Sequence, residues 1–340
     1  MTAPLLPSGL MDVLPPLAAR EFRLVHQFLK TFMAFGYQPV IPPLMEYEQS
    51  LLAGQGEATG HHVFRTADPL APNMLALRAD ITGQVARIAG GALGSSPRPL
   101  RMCYAGYTLR TAPEPLKTRR QHTQVGIERF GDARTASVAE VLAISAHALE
   151  LVGVNGLTID LHFPAVMASL LAELPTDQHT AIREAARLKD VSRLRALGAA
   201  HIADIMDCAG PADTALARLA ALNLPVLAAA TGELAALTSA LAAQKVNAAI
   251  TIDMLDLSGY GYYSGIGYAL YWNAAGLEVG RGGCYATGTN EQAVGFTLYI
   301  NDLLDQLGAE DPAPVTTIPY GTPAAAAAKL QAKGVVTVFG

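Results

Sequence analysis

The chain has 340 residues, 51% of them hydrophobic and 16% charged, with a net charge of -5 and a pI near 5.9; this suits one large domain plus an appendage. The acidic balance gives no global basic field for a polyanion such as tRNA or DNA. Apolar runs broken by Gly, Pro or charge, and a start, MTAPLLPSGLMD, without a basic-then-apolar pattern, argue against a membrane span or signal peptide, so a globular cytoplasmic protein is expected.

In chain order, residues 16–35 place Phe22, Val25, Leu29 and Phe32 at helical spacing, Gly36 ends the pattern, and 37–41 reads as a strand before Pro42 and Pro43 turn the chain. Strand patterns follow at 62–66, 74–79, 100–110 and 121–130, and helical ones at 81–89 and 136–151. From 164 to 245 the texture becomes Ala- and Leu-rich and amphipathic, as in HTAIREAARL, which marks a helical insertion. Strands resume at 248–257, 262–272 and 275–285, the last two joined around Asn273 and Ala274, and 292–307 reads as a helix. A Pro-rich connector, DPAPVTTIPYGTP, leads to a short Ala-rich helix and an apolar VVTVFG that reads as the start of a further unit. The expected class is α+β: a mixed, mainly antiparallel sheet flanked by helices over 1–163 and 246–305, a helical insertion at 164–245, and a linker with a partial C-terminal unit at 306–340.

Three cysteines, Cys103, Cys208 and Cys284, form an odd set without CxxC or Cys/His ligand spacing, which argues against a disulfide framework or a zinc site of that kind. All three are expected as buried small side chains. No nucleophile elbow or HExxH occurs, GRGGCY matches neither G-x-G-x-x-G nor a P-loop, and the adjacent His61 and His62 are expected in a loop or at the surface.

Alternate strand residues share a face, so Gln124, Gly126 and Glu128 point one way and Val125 and Ile127 the other. Two readings of the polar face stand: an ordinary solvated surface, or a floor where Gly126 leaves room for a ligand. In RMCYAGYTLR, Tyr104, Gly106, Thr108 and Arg110 repeat the device. In LALRADIT, Arg78 and Asp80 share a face, and Asp80 with Thr82 either caps the following helix or faces a ligand. Later, Gly265, Gly267 and Ala269 alternate with Ile266, Tyr268, Leu270 and Trp272, a shallow backbone-lined depression beside which Tyr262 or Tyr263 can present a hydroxyl.

Together these segments resemble class II aminoacyl-tRNA synthetases of the histidyl type, over nearly the whole length to about residue 305. LPSGLMDVLPP resembles the opening segment, GYQPVIPPLMEYEQSL the first class motif, LALRADITGQVARIA the LRPEGT region, and RMCYAGYTLR to RQHTQVGIERFG the second motif. SGYGYYSGIGYALYW and VGRGGCY resemble two histidine-specific signatures. The resemblance implies that Asp80, Thr82 and Gln124 hold the α-ammonium of histidine and that Glu128 and Tyr263 bracket its imidazole, with Arg110 and Tyr262 in the same pocket.

The ATP-handling side departs from that pattern. Arg110 keeps the second-motif arginine, but Ala112 replaces the acidic residue after it, Thr118 the loop arginine, and Ser258 and Gly261 the Arg and Asp of RGLDYY. The third motif reads Tyr299, Ile300, Asn301, Asp302, and only Arg119 and Lys117 stand near to compensate. Adenylate formation needs cations on the phosphates. After residue 305 only 340 - 305 = 35 residues follow, short of an anticodon-binding domain.

A core that keeps the amino-acid pocket alone resembles the regulatory-subunit family of two-component ATP phosphoribosyltransferases in histidine biosynthesis. That resemblance implies no catalysis by this chain, no cofactor or metal, and no tRNA. It implies a short-form catalytic subunit as partner, L-histidine as feedback ligand, and a homodimer within a hetero-octamer. The competing reading is an amino-acid-activating ligase or histidyl-tRNA synthetase-like enzyme, which Arg110 keeps open.

Overall fold

The computed structural model describes residues 5–53, 62–113, 118–308 and 313–340; the expectations for His61 and Lys117 fall outside them. In chain order the strands are β1 (Gln38–Pro39), β2 (Met45–Tyr47), β3 (Arg65–Ala67), β4 (Met74–Leu77), β5 (Leu100–Leu109), β6 (Gln121–Phe130), β7 (Leu157–His162), β8 (Gly210–Pro211), β9 (Ala248–Ile252), β10 (Tyr263–Trp272), β11 (Leu277–Ala286), β12 (Gln292–Tyr299), β13 (Val315–Ile318) and β14 (Val336–Phe339). The main sheet runs β1-β5-β6-β12-β11-β10-β7-β9-β8, antiparallel except at β1/β5 and β7/β9. An antiparallel β2-β4-β3 sheet and a parallel β13-β14 pair stand apart from it. This is the α+β, mainly antiparallel architecture the sequence leads one to expect.

Four helices matter for the site: α1 (Leu17–Ala34), α2 (Thr82–Gly90), α3 (Thr135–Leu151) and α4 (Ile300–Leu307). Gly36, at φ +83°, lets α1 stop: its N–H bonds Met33 O at 3.0 Å while Tyr37 N–H bonds Phe32 O at 3.1 Å. Leu24, Phe28 and Phe32 of α1, the length of α3, and Val125, Ile127, Phe296 and Leu298 of the sheet form the main core. On the other face, Ile81, Val85 and Ala89 pack around α2 against Met102, Tyr104, Phe130 and Tyr285. Between 165 and 243 lie mostly short helices whose leucines join the main core, with β8 the one strand there among the described residues.

Several expectations are corrected. Residues 292–299 form β12, not the start of a helix: Val294, Phe296 and Leu298 face the core while Gly295, Thr297 and Tyr299 face the other way, a period of two, and only 300–307 is helical. Phe22 is 72% exposed and leaves the expected stripe of α1, whereas Phe32 is buried and Val25 and Leu29 pack against the core beside Leu24 and Phe28. The strand at 37–41 contracts to two residues, and that at 248–257 ends at Ile252. One helix, Pro225–Ala243, with mean hydropathy 1.5, does have the length and composition of a span. It carries Thr231, Gly232 and Glu233, and Leu234, Leu237 and Leu241 seat it in the core. The three cysteines are free and buried, as expected.

Glycines fix how the sheet's second face is filled. A Cβ at Gly126 would lie 2.4 Å from Tyr104 Oη and 2.6 Å from Phe296 O, so the gap read as ligand space holds a phenol. Gly126→Ala is expected to lower stability by roughly 1–3 kcal/mol or more through this overpacking. Gly232→Ala, in a helix with nothing within 4 Å of the new Cβ, is expected to raise it by about 0.5–1 kcal/mol. Denaturant midpoints of the two variants check both signs.

Candidate functional site

Across the second face of the sheet, register brings one row of residues together: His162 of β7, Gly267 of β10, Gly283 of β11, Gly295 of β12 and Glu128 of β6. The middle three have no side chain, so the row sinks into a trough between two titratable groups. Neighbours lie flat in it. A Cβ at Gly295 would meet Glu128 Oε2 at 1.8 Å, and one at Gly283 would meet the Tyr263 ring at 2.7 Å.

This trough opens into a cavity of about 360 Å³. Asp80, Thr82, Arg110, Glu128, Tyr262 and Tyr263, six of the seven expected ligand-binding residues, line it. Gln124, the seventh, lies beneath the wall: its Oε1 accepts from Ile81 N–H at 2.9 Å and its Nε2 donates to Asp80 Oδ2 at 2.7 Å. Its role here is to orient Asp80. Asp80 Oδ1 also accepts from Thr82 N–H at 2.8 Å, so the helix-start bond and the cavity position coexist in one carboxylate. Arg78 turns away: its guanidinium bonds Tyr107 O at 2.7 Å and Pro42 O at 2.9 Å, and Gly106 leaves room for it. It pins the Asp80 segment to the sheet.

The polar face is not solvated. Gln124 is fully buried and Glu128 is 1% exposed, which decides between the two readings of that strand. Glu128 Oε2 accepts from Tyr285 Oη at 2.8 Å, and its Oε1 accepts from Tyr104 Oη at 3.4 Å. Tyr104 Oη lies also 2.7 Å from Thr297 Oγ1 and 3.1 Å from Thr82 Oγ1. Burial, with the Asp80 charge added and the Tyr285 bond opposing, pushes the Glu128 carboxyl up to about 8. Tyr262 stacks on Tyr285 with ring centroids 5.2 Å apart and meets Tyr263 at 5.3 Å, forming an aromatic wall. Arg110 Nη2 donates to Tyr299 Oη at 2.9 Å with its guanidinium over that ring.

Sequence reading missed Tyr285, Thr297 and Arg281, all of which line the cavity. Thr297 was hidden by the helical reading of β12. Tyr285 and Arg281 sit four apart in GRGGCY, where alternation along the strand is the signal that brings them to one face. That segment lies inside β11 and forms no phosphate loop.

The chemistry on offer is recognition. Two carboxyl groups, five tyrosines and Arg110 suit a small zwitterion with N–H groups. Among the described residues the cations lining the cavity are Arg110 and Arg281, and Arg281 donates to Glu278 at 2.7 Å. Arg119 pairs instead with Asp305 at 2.7 Å, and Ser258 N–H and Oγ bond Asp256 Oδ1 at 2.9 and 2.8 Å.

The sequence pattern described as Histidyl-tRNA synthetase matches residues 9–303. The chain is 42% identical over 342 aligned positions to an ATP phosphoribosyltransferase regulatory subunit of Paramagnetospirillum magneticum, covering 99% of this chain and 90% of that one. An ATP phosphoribosyltransferase regulatory subunit/histidyl-tRNA synthetase from Bacillus halodurans superposes with a TM-score of 0.87 at 20% identity, covering 100% of this chain and 94% of that one. An ATP phosphoribosyl transferase complex from Thermotoga maritima gives 0.66 at 19%, covering 82% and 97%. At those identities the two structures speak to the fold.

The raised Glu128 carboxyl has a sign in stability. Unfolded, it ionises near 4.5; folded and without ligand, it holds its proton to about 8. Its burial therefore costs nothing below pH 4.5 and progressively more up to pH 8, on the order of a few kcal/mol. Glu128→Gln should become steadily more stable relative to the parent from pH 5 to about pH 8 and level off above it, read as the difference in Tm. A difference independent of pH would remove the assignment.

Proposed function

The chain belongs to the histidyl-tRNA synthetase family and, within it, to the ATP phosphoribosyltransferase regulatory subunits, and we propose that it binds L-histidine in this cavity and passes the occupancy to a short-form catalytic subunit. It is a non-catalytic subunit acting in histidine biosynthesis. The observation that carries the ligand is the buried Glu128 carboxyl, held by Tyr285 and Tyr104 in one cavity with Asp80. In this reading Asp80, positioned by Gln124 and joined by Thr82, takes the α-ammonium, and Arg110 the α-carboxylate. Glu128, Tyr262 and Tyr263 surround the imidazole, whose two nitrogens each need a partner.

The substitutions on the ATP side support a subunit without chemistry of its own. Ala112, Thr118, Ser258 and Gly261 bring no charge, and Asp302 brings a negative one where a triphosphate needs cations. Histidine would act as an effector through a coupling free energy between cavity and partner interface. The same reading has the chain forming a homodimer within a hetero-octamer in the cytoplasm, without tRNA, with 164–245 as an insertion into the core.

Glu128→Ala is expected to weaken histidine binding roughly tenfold or more, the order for losing a partner of a buried ring; calorimetry showing unchanged affinity would place the pocket elsewhere. Phosphoribosyl-ATP formation by the short catalytic subunit should rise when this chain is added and fall again with histidine. No change on mixing would sink the regulatory reading, and histidine-dependent pyrophosphate exchange would favour an activating ligase.

A further inference from the structure

Behind Tyr263, at the far end of the glycine row, a second cluster stands on the same face of the sheet. Asp160 and His162 are two apart on β7, so they point the same way. Asp256 reaches them from the segment that joins β9 to β10, and one donor atom of each of the three lies within 4.8 Å of the others. His162 is 1% exposed, and neither of its ring nitrogens has a hydrogen-bond partner among the described residues. That is unusual for a buried imidazole, whose nitrogens are as a rule matched.

The three groups are set up as ligands. Burial, against the opposing pull of Asp256 and Asp253, keeps the His162 ring neutral, with its pKa pushed down to about 4, so a lone pair is available. Thr251 Oγ1 donates to Asp160 Oδ1, and Ser258 holds Asp256 Oδ1 through its N–H and its hydroxyl. Each carboxylate is thus oriented through one oxygen, with the other left for a further bond, the arrangement that outer partners give to metal ligands. Asp253 adds negative charge beside them and is balanced by Lys189 at 2.5 Å.

We propose that Asp160, His162 and Asp256 form a binding site for a divalent transition-metal ion of the zinc type. One imidazole and two carboxylates make a mixed nitrogen and oxygen set, suited to zinc or a similar ion with water completing the shell. Bonds of about 2.0–2.2 Å to all three groups would tie the Asp256 segment to β7. Leu257, Gly259, Tyr260 and Tyr262 of that segment line the histidine cavity, and the His162 ring lies 6.1 Å from that of Tyr263. The ion therefore braces one wall of the cavity. The site rests on these geometries alone and stands whatever ligand the cavity takes.

The test is calorimetric titration of the full chain, stripped with a chelator, with Zn²⁺. One ion per chain at micromolar or tighter Kd is expected. His162→Gln and Asp256→Asn should each weaken it at least tenfold, whereas His26→Ala, at an exposed histidine, should not. X-ray absorption of the Zn²⁺-loaded parent should show a single imidazole ligand, a readout that holds even where a variant fails to fold. No binding by the parent, affinity unchanged in both variants, or a spectrum without one imidazole each overturn the site. Histidine binding is measured separately, so failure of this site leaves the reading of the cavity standing.

Discussion

A side chain on a β-sheet normally stands up from the pleat, and the cavity of this protein exists because three neighbouring positions on one face have none to raise. Gly267, Gly283 and Gly295 lie side by side across β10, β11 and β12, with His162 at one end of the row and Glu128 at the other. With no Cβ in the way, Glu128, Tyr263 and His162 fold down over glycine backbone instead of pointing outward. The resulting trough is roofed by aromatic rings and by the start of α2, and water is excluded from Glu128. Its raised pKa follows from that geometry: burial, with the Asp80 charge added, outweighs the Tyr285 and Tyr104 bonds that favour the anion, and the carboxyl keeps its proton.

The polar groups under the cavity form one connected arrangement spanning distant parts of the chain. Tyr104 links β5 to Thr82 at the helix start and to Thr297 of β12; Gln124 links β6 to the Asp80 segment; Arg78 ties that segment to carbonyls on both sides. Buried polar groups are costly when left unmatched, so matching them across five elements specifies one arrangement of those elements. Positions that orient others are as fixed as positions that face the cavity. Gln124 illustrates this, with oxygen and nitrogen both committed to the backbone and side chain around Asp80.

Much of the fold was legible because its signals are local. The helix ending at Gly36, the long strands over 100–110 and 121–130, and the pairing of Gln124 with Glu128 on one face all follow from spacing alone. What spacing does not reveal is which face is covered. An alternation of polar and apolar residues reads the same whether the polar side meets water or a second layer, and here α2 and the segment before β10 provide that layer. Similarly, QAVGFTLY and the helix after it form one apolar run, so Thr297 stayed hidden until the strand's pairing with β6 and β11 fixed its period. Asp160 and His162 alternate visibly in LTIDLH, but Asp256 joins them only through the closing of the sheet at β7 and β9.

The charges around the cavity bear on what kind of ligand it favours. A triphosphate would bring several negative charges toward Asp80 and Glu128, with Arg110 and Arg281 the cations lining the wall among the described residues, and Arg281 already holds Glu278. A single amino acid carries one charge of each sign and needs little more than one carboxylate and one guanidinium to match them. In the proposed reading the aromatic wall of Tyr262, Tyr263 and Tyr285 would serve a flat ring, and the neutral Glu128 would either donate its proton to a ring nitrogen or give it up to accept one. On the reading proposed above, groups that match one charge of each sign and a flat ring suit a single amino acid better than a triphosphate, which is what a sensor of histidine would require.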